Sequence, residues 1–160
     1  EQQYGSLNVL VNNAAILYDT WQHAIDVDLE VVNQAIDTNV YGPWRLCQAF
    51  IPITKRNGHG RIVNISSPGG SLHYMQEGGT PAYSISKAAL NVLTRRLAAE
   101  LQGTGILVNS IDPGWLATDM GGPGGGPVEE GVRGIIWAAT LPEDGPSGGF
   151  FNADGRPVPW

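Results

Sequence analysis

The chain holds 160 residues, 42% hydrophobic and 15% charged, with 9 Lys and Arg against 15 Asp and Glu for a net charge of −6. That length suits one domain with a real core, since a chain of this size buries about 70% of its unfolded surface, and the composition is too apolar for a disordered segment. An acidic balance without a basic cluster argues against nucleic acid and anionic membrane as partners.

One cysteine, Cys47, rules out an internal disulfide framework and suits a reducing, cytoplasmic setting. It lies in an apolar helical stretch, so a buried, inert thiol is expected rather than a nucleophile. The sequence holds neither a run of about 18 apolar residues nor a secretory pattern, so membrane spanning and export are not expected. Asn64-Ile65-Ser66 matches a glycosylation sequon inside an expected buried strand and is discounted.

In chain order, "LNVLVNN" (7–13) is a nearly continuous apolar run of the kind a strand covered on both faces would carry. The stretch from Leu29 to Arg56 has helical spacing, with a boundary or kink expected at Gly42-Pro43. "GRIVNISS" (60–67) reads as a second strand, followed by a loop rich in glycine and proline up to Pro81. Tyr83 to Leu101 is the strongest helix, closed by Gly103 and Gly105. "GILVNSI" (105–111) is a third strand, Val128 to Thr140 a helix, and "GGFFNADG" (148–155) a last short strand and turn. Strands alternating with helices imply crossovers and a parallel sheet in a single α/β domain.

Polar signals stand at three of the expected strand ends: Asn12-Asn13, Ser66-Ser67 and Asp112-Pro113-Gly114. Ligands of an open parallel sheet collect outside the carboxyl ends of its strands, although Asn, Ser and Pro-Gly are also ordinary turn chemistry. Tyr83 and Lys87, at i and i+4, share one helix face. Alone, that pair also suits a solvated surface.

Taken together and in order, "NVLVNNAA", "DTNVYG", "GRIVNISS", "YSISK" and "NSIDPGWLATDM" resemble the short-chain dehydrogenase/reductase family, and the tail "GGFFNADGRPVPW" looks like the end of a carbonyl-reductase-type member. The resemblance implies a Rossmann-like doubly wound parallel sheet and an NADP- or NAD-dependent oxidoreductase acting on a small-molecule carbonyl/alcohol pair. By resemblance, Tyr83 is the general acid/base and Lys87 stabilises its phenolate and hydrogen-bonds the nicotinamide ribose. An unperturbed tyrosine has a pKa near 10, so working near neutrality asks for a shift of ~3 units. An ammonium ~4 Å away provides about that much at an effective dielectric of ~20, if it outweighs desolvation. Ser67 is implied as the partner of the carbonyl oxygen, with Ser66 structural. Asn39 matches an asparagine that interrupts helix regularity and holds a water for proton relay. Asn12, Ala14 and Ala15 match the family's "NNAG" turn, with Ala15 where glycine is usual. Pro113, Gly114 and Thr118 match the segment contacting the nicotinamide. Trp115, Leu116 and Met120, with His73, Tyr74 and Met75, are candidates for the substrate pocket.

"GGPGGG" (121–126) lacks phosphate-loop spacing, and a mobile substrate-covering loop is the better reading. No metal site is indicated. The resemblance also implies a homo-oligomer built from the helices at 29–56 and 83–101. The family's glycine-rich phosphate-binding turn has no counterpart in this sequence, so the chain is expected to be the C-terminal portion of a longer polypeptide, forming the second half of the sheet. NADP and NAD are therefore both kept. A non-catalytic half-domain pairing with another chain is the alternative function. A sugar epimerase of the extended type ranks last, because only a short tail follows Asp112.

Overall fold

The computed structural model describes residues 6–160. Four strands, β1 (Val9–Asn12), β2 (Gly60–Ile65), β3 (Ile106–Asp112) and β4 (Phe150–Asn152), lie side by side in chain order, all parallel. Parallel neighbours require crossovers. These are α1 (Leu29–Ile36) and α2 (Gly42–Asn57) between β1 and β2, α3 (Pro81–Glu100) between β2 and β3, and α4 (Val128–Ala139) between β3 and β4. The result is the Rossmann-like α/β sheet that the alternation of strand and helix patterns implies.

Successive strand residues face opposite sides, and the core divides accordingly. Ile62 and Val108 pack with Cys47 of α2 and with Leu90, Leu93 and Leu97 of α3. Val63, Ile65 and Ile111 pack on the other side with Ala138 of α4 and Phe151. β2 is buried along its whole length and β3 from Ile106 to Ile111. Burial pushes the Cys47 thiol up to about 11, as an inert core cysteine requires.

One expectation needs correction. β1 is not covered on both faces: it is an edge of the sheet, with Val9 and Val11 exposed. Its Val-rich run cannot by itself distinguish a central strand from an apolar edge. The boundary expected at Gly42-Pro43 is present, for α2 begins at Gly42, but it is not an interruption of the helix. Helix runs on from Leu29 to Asn57 through a π-helical stretch, Asp37–Tyr41, where the Gly42 N–H reaches back five residues to the Asp37 carbonyl. Pro43 lacks an N–H and its ring would strike a carbonyl in a regular helix, and the widened turn just before it accommodates both facts.

A chain of buried polar side chains ties three strands to α3. Asn12 Nδ2 donates to Asn64 Oδ1 at 2.7 Å, Asn64 Nδ2 to Thr94 Oγ1 at 2.8 Å, and the Thr94 and Ser110 hydroxyls pair at 2.8 Å. Arg61, almost fully buried, donates from Nε and Nη2 to the Leu141 carbonyl at 2.8 and 2.6 Å, and from Nη1 to the Gly60 and Gly105 carbonyls at 2.7 and 3.2 Å. It thereby fastens the segment after α4 to the amino end of the sheet. Removing one partner of a buried network leaves the others unpaired. Arg61→Leu should lower unfolding stability by ~2–4 kcal/mol, read as a shift of the urea midpoint at unchanged slope.

Candidate active site

A cleft of about 630 Å³ opens where the carboxyl ends of β2 and β3 meet the first turns of α3. The loop after β1 provides one wall with Asn13, Ala14, Ala15 and Leu17, and Ile65 to Pro68 form the floor beneath Tyr83 and Lys87. Asp112 to Leu116 and Thr118 to Gly121 close the far side.

Lys87 is 2% exposed, and its Nζ donates to the carbonyl of Ile65, the last residue of β2, at 2.8 Å. The same Nζ stands over the Tyr83 ring, 5.4 Å from its centroid. The turn Pro68–Gly70 rests directly on this part of α3, for a Cβ on Gly70 would come within 2.8 Å of the Lys87 carbonyl carbon. Ser67 opens that turn, its hydroxyl accepting from the Gly69 N–H at 3.2 Å. Ser66 is buried in the floor, and its hydroxyl has no partner among the described residues.

Burial dominates the electrostatics. It lowers the Lys87 pKa from 10.5 to about 8. It also raises the Tyr83 phenol above its ordinary value; a hydrogen bond with Ser67 acts in the opposite sense, while the Asp112 carboxylate adds to the rise. Asp112 is itself pushed upward by burial, partly offset by the Gly114 N–H, which donates to its Oδ1 at 2.9 Å. The expected net lowering of Tyr83 by Lys87 is therefore not present. The ammonium addresses the ring face and the Ile65 carbonyl, and desolvation of the phenolate prevails.

A phenol, a hydroxyl and an ammonium thus converge at the carboxyl edge of a parallel sheet. Residues 1–124 match the family described as short chain dehydrogenase. The chain belongs to the short chain dehydrogenase family. It is 35% identical over 157 residues to the C-signal of Myxococcus xanthus, covering 98% of this chain and 94% of that one. It is 32% identical to carbonyl reductase [NADPH] 3 of Rattus norvegicus over 89% of this chain and 66% of the relative. The NADPH-bound carbonyl reductase from chicken fatty liver superposes with a TM-score of 0.86 at 35% identity, covering 99% of this chain and 68% of the other. The chain thus spans about two thirds of the length of these two reductases.

Of the family positions expected from the sequence, Ser67, Tyr83, Lys87, Ala14, Ala15, Pro113, Gly114 and Thr118 all line the cleft. Ala15 carries no backbone strain, because Thr80 is the one non-glycine residue with positive φ among the described residues. Asn12 does not line the cleft: its side chain turns to Asn64 and Cys47, and its neighbour Asn13 lines the cleft. Asn39 sits in the π-helical stretch but not on the cleft wall, and both its amide hydrogens are used, on the Ile16 carbonyl and the Ser86 hydroxyl. Trp115, Leu116 and Met120 face the cleft, whereas His73, Tyr74 and Met75 are exposed outside it. The His73 N–H is bonded to the Trp160 carbonyl, which draws that loop toward the C-terminal tail. The glycine-rich loop folds back on its own start, through Gly126 N–H to the Trp115 carbonyl and the Trp115 indole N–H to the Gly121 carbonyl at 2.7 Å.

Asp112, flagged in the sequence only as part of a strand-end polar signal and given no role, lines the cleft as the last residue of β3.

The Lys87 shift has a definite sign. Below pH 8 both folded and unfolded chains carry the proton and the burial cost is present in full. Between 8 and 10.5 the unfolded chain binds more protons, so stability rises with pH. The raised Tyr83 acts oppositely, but only above pH 10. Urea unfolding of the wild-type chain from pH 8 to 10 should gain on the order of 2 kcal/mol relative to Lys87→Met, which lacks the titrating group.

Proposed function

We propose that this cleft is the carbonyl/alcohol end of an NAD(P)-dependent oxidoreductase site, with Tyr83 giving a proton to the carbonyl oxygen of a small-molecule aldehyde or ketone. The reading is carried by one observation: Tyr83 and Lys87, one helical turn apart, both face one cleft beside Ser67. A fixed phenol and a nearby hydroxyl are the groups that a carbonyl oxygen gaining negative charge requires. Ser67 donates to that oxygen and holds it toward Tyr83. Lys87 is an ammonium below about pH 8 and provides positive charge behind the phenol.

The residues fit the nicotinamide end of the cofactor. The unpartnered Ser66 hydroxyl lies in the cleft floor, and Gly114, at φ 80, turns the chain there without a side chain. Ala14, Ala15, Pro113, Gly114 and Thr118 would hold that group, with Lys87 at its ribose. When bound, the nicotinamide supplies or accepts the hydride. Leu17, Trp115, Leu116 and Met120 make an apolar wall suited to an aliphatic or aromatic carbonyl compound. A phenol kept protonated by burial favours reduction at neutral pH over oxidation, which needs the phenolate. Apolar side chains left exposed on α2 and α3, including Trp44, Leu46, Ile85 and Val92, fit the homo-oligomer the family resemblance implies.

A second reading, a non-catalytic chain that binds a partner, draws on one observation. The Myxococcus xanthus C-signal, matched over nearly its whole length, bears a name that states no reaction.

Tyr83→Phe in the intact protein should lower nicotinamide-dependent carbonyl reduction ~10²–10⁴-fold while leaving cofactor affinity within a few fold. Full activity in that variant would remove the catalytic assignment. If fluorescence titration of the intact protein detects no nicotinamide binding, the partner-binding reading replaces it.

A further inference from the structure

Asp19 lies in the loop between β1 and α1, outside the cleft wall, and is 1% exposed. Its Oδ2 accepts from the Ala82 N–H at 2.6 Å and the Tyr83 N–H at 3.4 Å. These are the first two backbone donors of α3, because Pro81 has none. A helix ordinarily satisfies them with the side chain of its own N-cap residue, held in an extended conformation. Thr80 does not do this. Its backbone is left-handed, φ 43 and ψ 49, and its side chain makes no capping bond. The cap comes instead from 63 residues upstream.

The carbonyl of Tyr83 is held as well. Ser86 Oγ donates to it at 2.7 Å, and Asn39 Nδ2 donates to that same Oγ at 2.9 Å. Asn39 in turn grips the main chain of Ile16 through both its N–H, at 2.8 Å, and its carbonyl, at 3.0 Å. Both polar groups of the Tyr83 main chain therefore lead, through buried side chains, to residues 16–19 of the loop that walls the cleft. The other Asp19 oxygen, Oδ1, is buried without a partner among the described residues. A half-satisfied buried carboxylate is a poor stabiliser, so its presence is better explained by where it holds α3 than by fold stability.

We propose that Asp19 is a positioning residue for Tyr83, setting the register of the first turn of α3 against the loop after β1 and hence the reach of the phenol into the cleft. The inference rests on the reading of Tyr83 as proton donor. Small misplacements of a reacting group can cost up to ~100-fold in rate, even when the mutation causing them lies away from the chemistry.

The test uses the intact protein, amide hydrogen exchange and steady-state carbonyl reduction. In the wild type, the Ala82 and Tyr83 amides should be protected although they open a helix. Asp19→Ala should speed exchange at those two amides at least about tenfold without changing Leu90 to Leu97. It should also lower kcat ~10- to 100-fold with KM within about threefold. Asp19→Asn, which keeps an acceptor, should restore kcat to within about fivefold of wild type. Unprotected Ala82 and Tyr83 amides in the wild type overturn the proposal, and this arm decides alone if Asp19→Ala does not fold. So does an Asp19→Ala variant with wild-type kcat, or a loss of activity that Asp19→Asn fails to rescue. Tyr83→Phe separates the two claims. If that variant stays active, the proton-donor reading itself fails; if it is inactive while Asp19→Ala is not, only the positioning role fails.

Discussion

An ammonium withdrawn from water and held 2.8 Å from the Ile65 carbonyl is the constraint around which the cleft is arranged. To make that bond, α3 must lie close to the end of β2, which is why the intervening turn has a glycine at position 70, where no Cβ fits against the Lys87 backbone. The same contact brings Ser67, at the start of that turn, near Tyr83, one helical turn before Lys87. Desolvation is the cost, visible in a lysine pKa brought down to about 8. A hydrophobic residue would pack here without that cost, so the position is tuned to something other than stability.

Much of this arrangement was readable in advance because its signals are local. Strand runs of Val and Ile, a long Ala- and Leu-rich helix and turn residues between them yield the strand order once parallel crossovers are assumed. Boundaries moved by only one to three residues, as at β2, which ends at Ile65 rather than Ser67, and α3, which begins at Pro81 rather than Tyr83. The π-helical stretch was less legible. Gly42-Pro43 signals a boundary or kink, and α2 does begin there, but only the backbone path reveals the widened turn that joins it to α1.

Partners far apart in sequence were not readable at all. Asn12, Asn64, Thr94 and Ser110 stand 52, 30 and 16 residues apart along their chain of bonds, and nothing in their neighbours distinguishes a residue that faces the cleft from one that stitches strands to a helix. Asn12 and Asn13 are identical side chains at adjacent positions, and the alternation of the strand sends one inward and the other to the cleft. Asp19 and Arg61 belong to the same class, since each satisfies backbone groups contributed by a distant segment.

The electrostatic expectation failed for a geometric reason. Spacing i to i+4 guarantees that Tyr83 and Lys87 share a face, but not that the ammonium meets the phenolic oxygen. Here the Nζ lies over the ring, where it interacts with the π face, while its hydrogen bond goes to Ile65. The phenol is left with the Ser67 hydrogen bond favouring its ionised form, and burial and the Asp112 charge opposing it. The opposing influences prevail and hold the phenol's pKa above its ordinary value, which on the proposed reading suits a proton donor better than a base. On the proposed reading, Asp112 then matters through charge alone. A carboxylate in the wall facing Tyr83 disfavours the phenolate, so a site built this way is biased toward delivering a proton to an oxygen that becomes an alkoxide, which is the chemistry of carbonyl reduction.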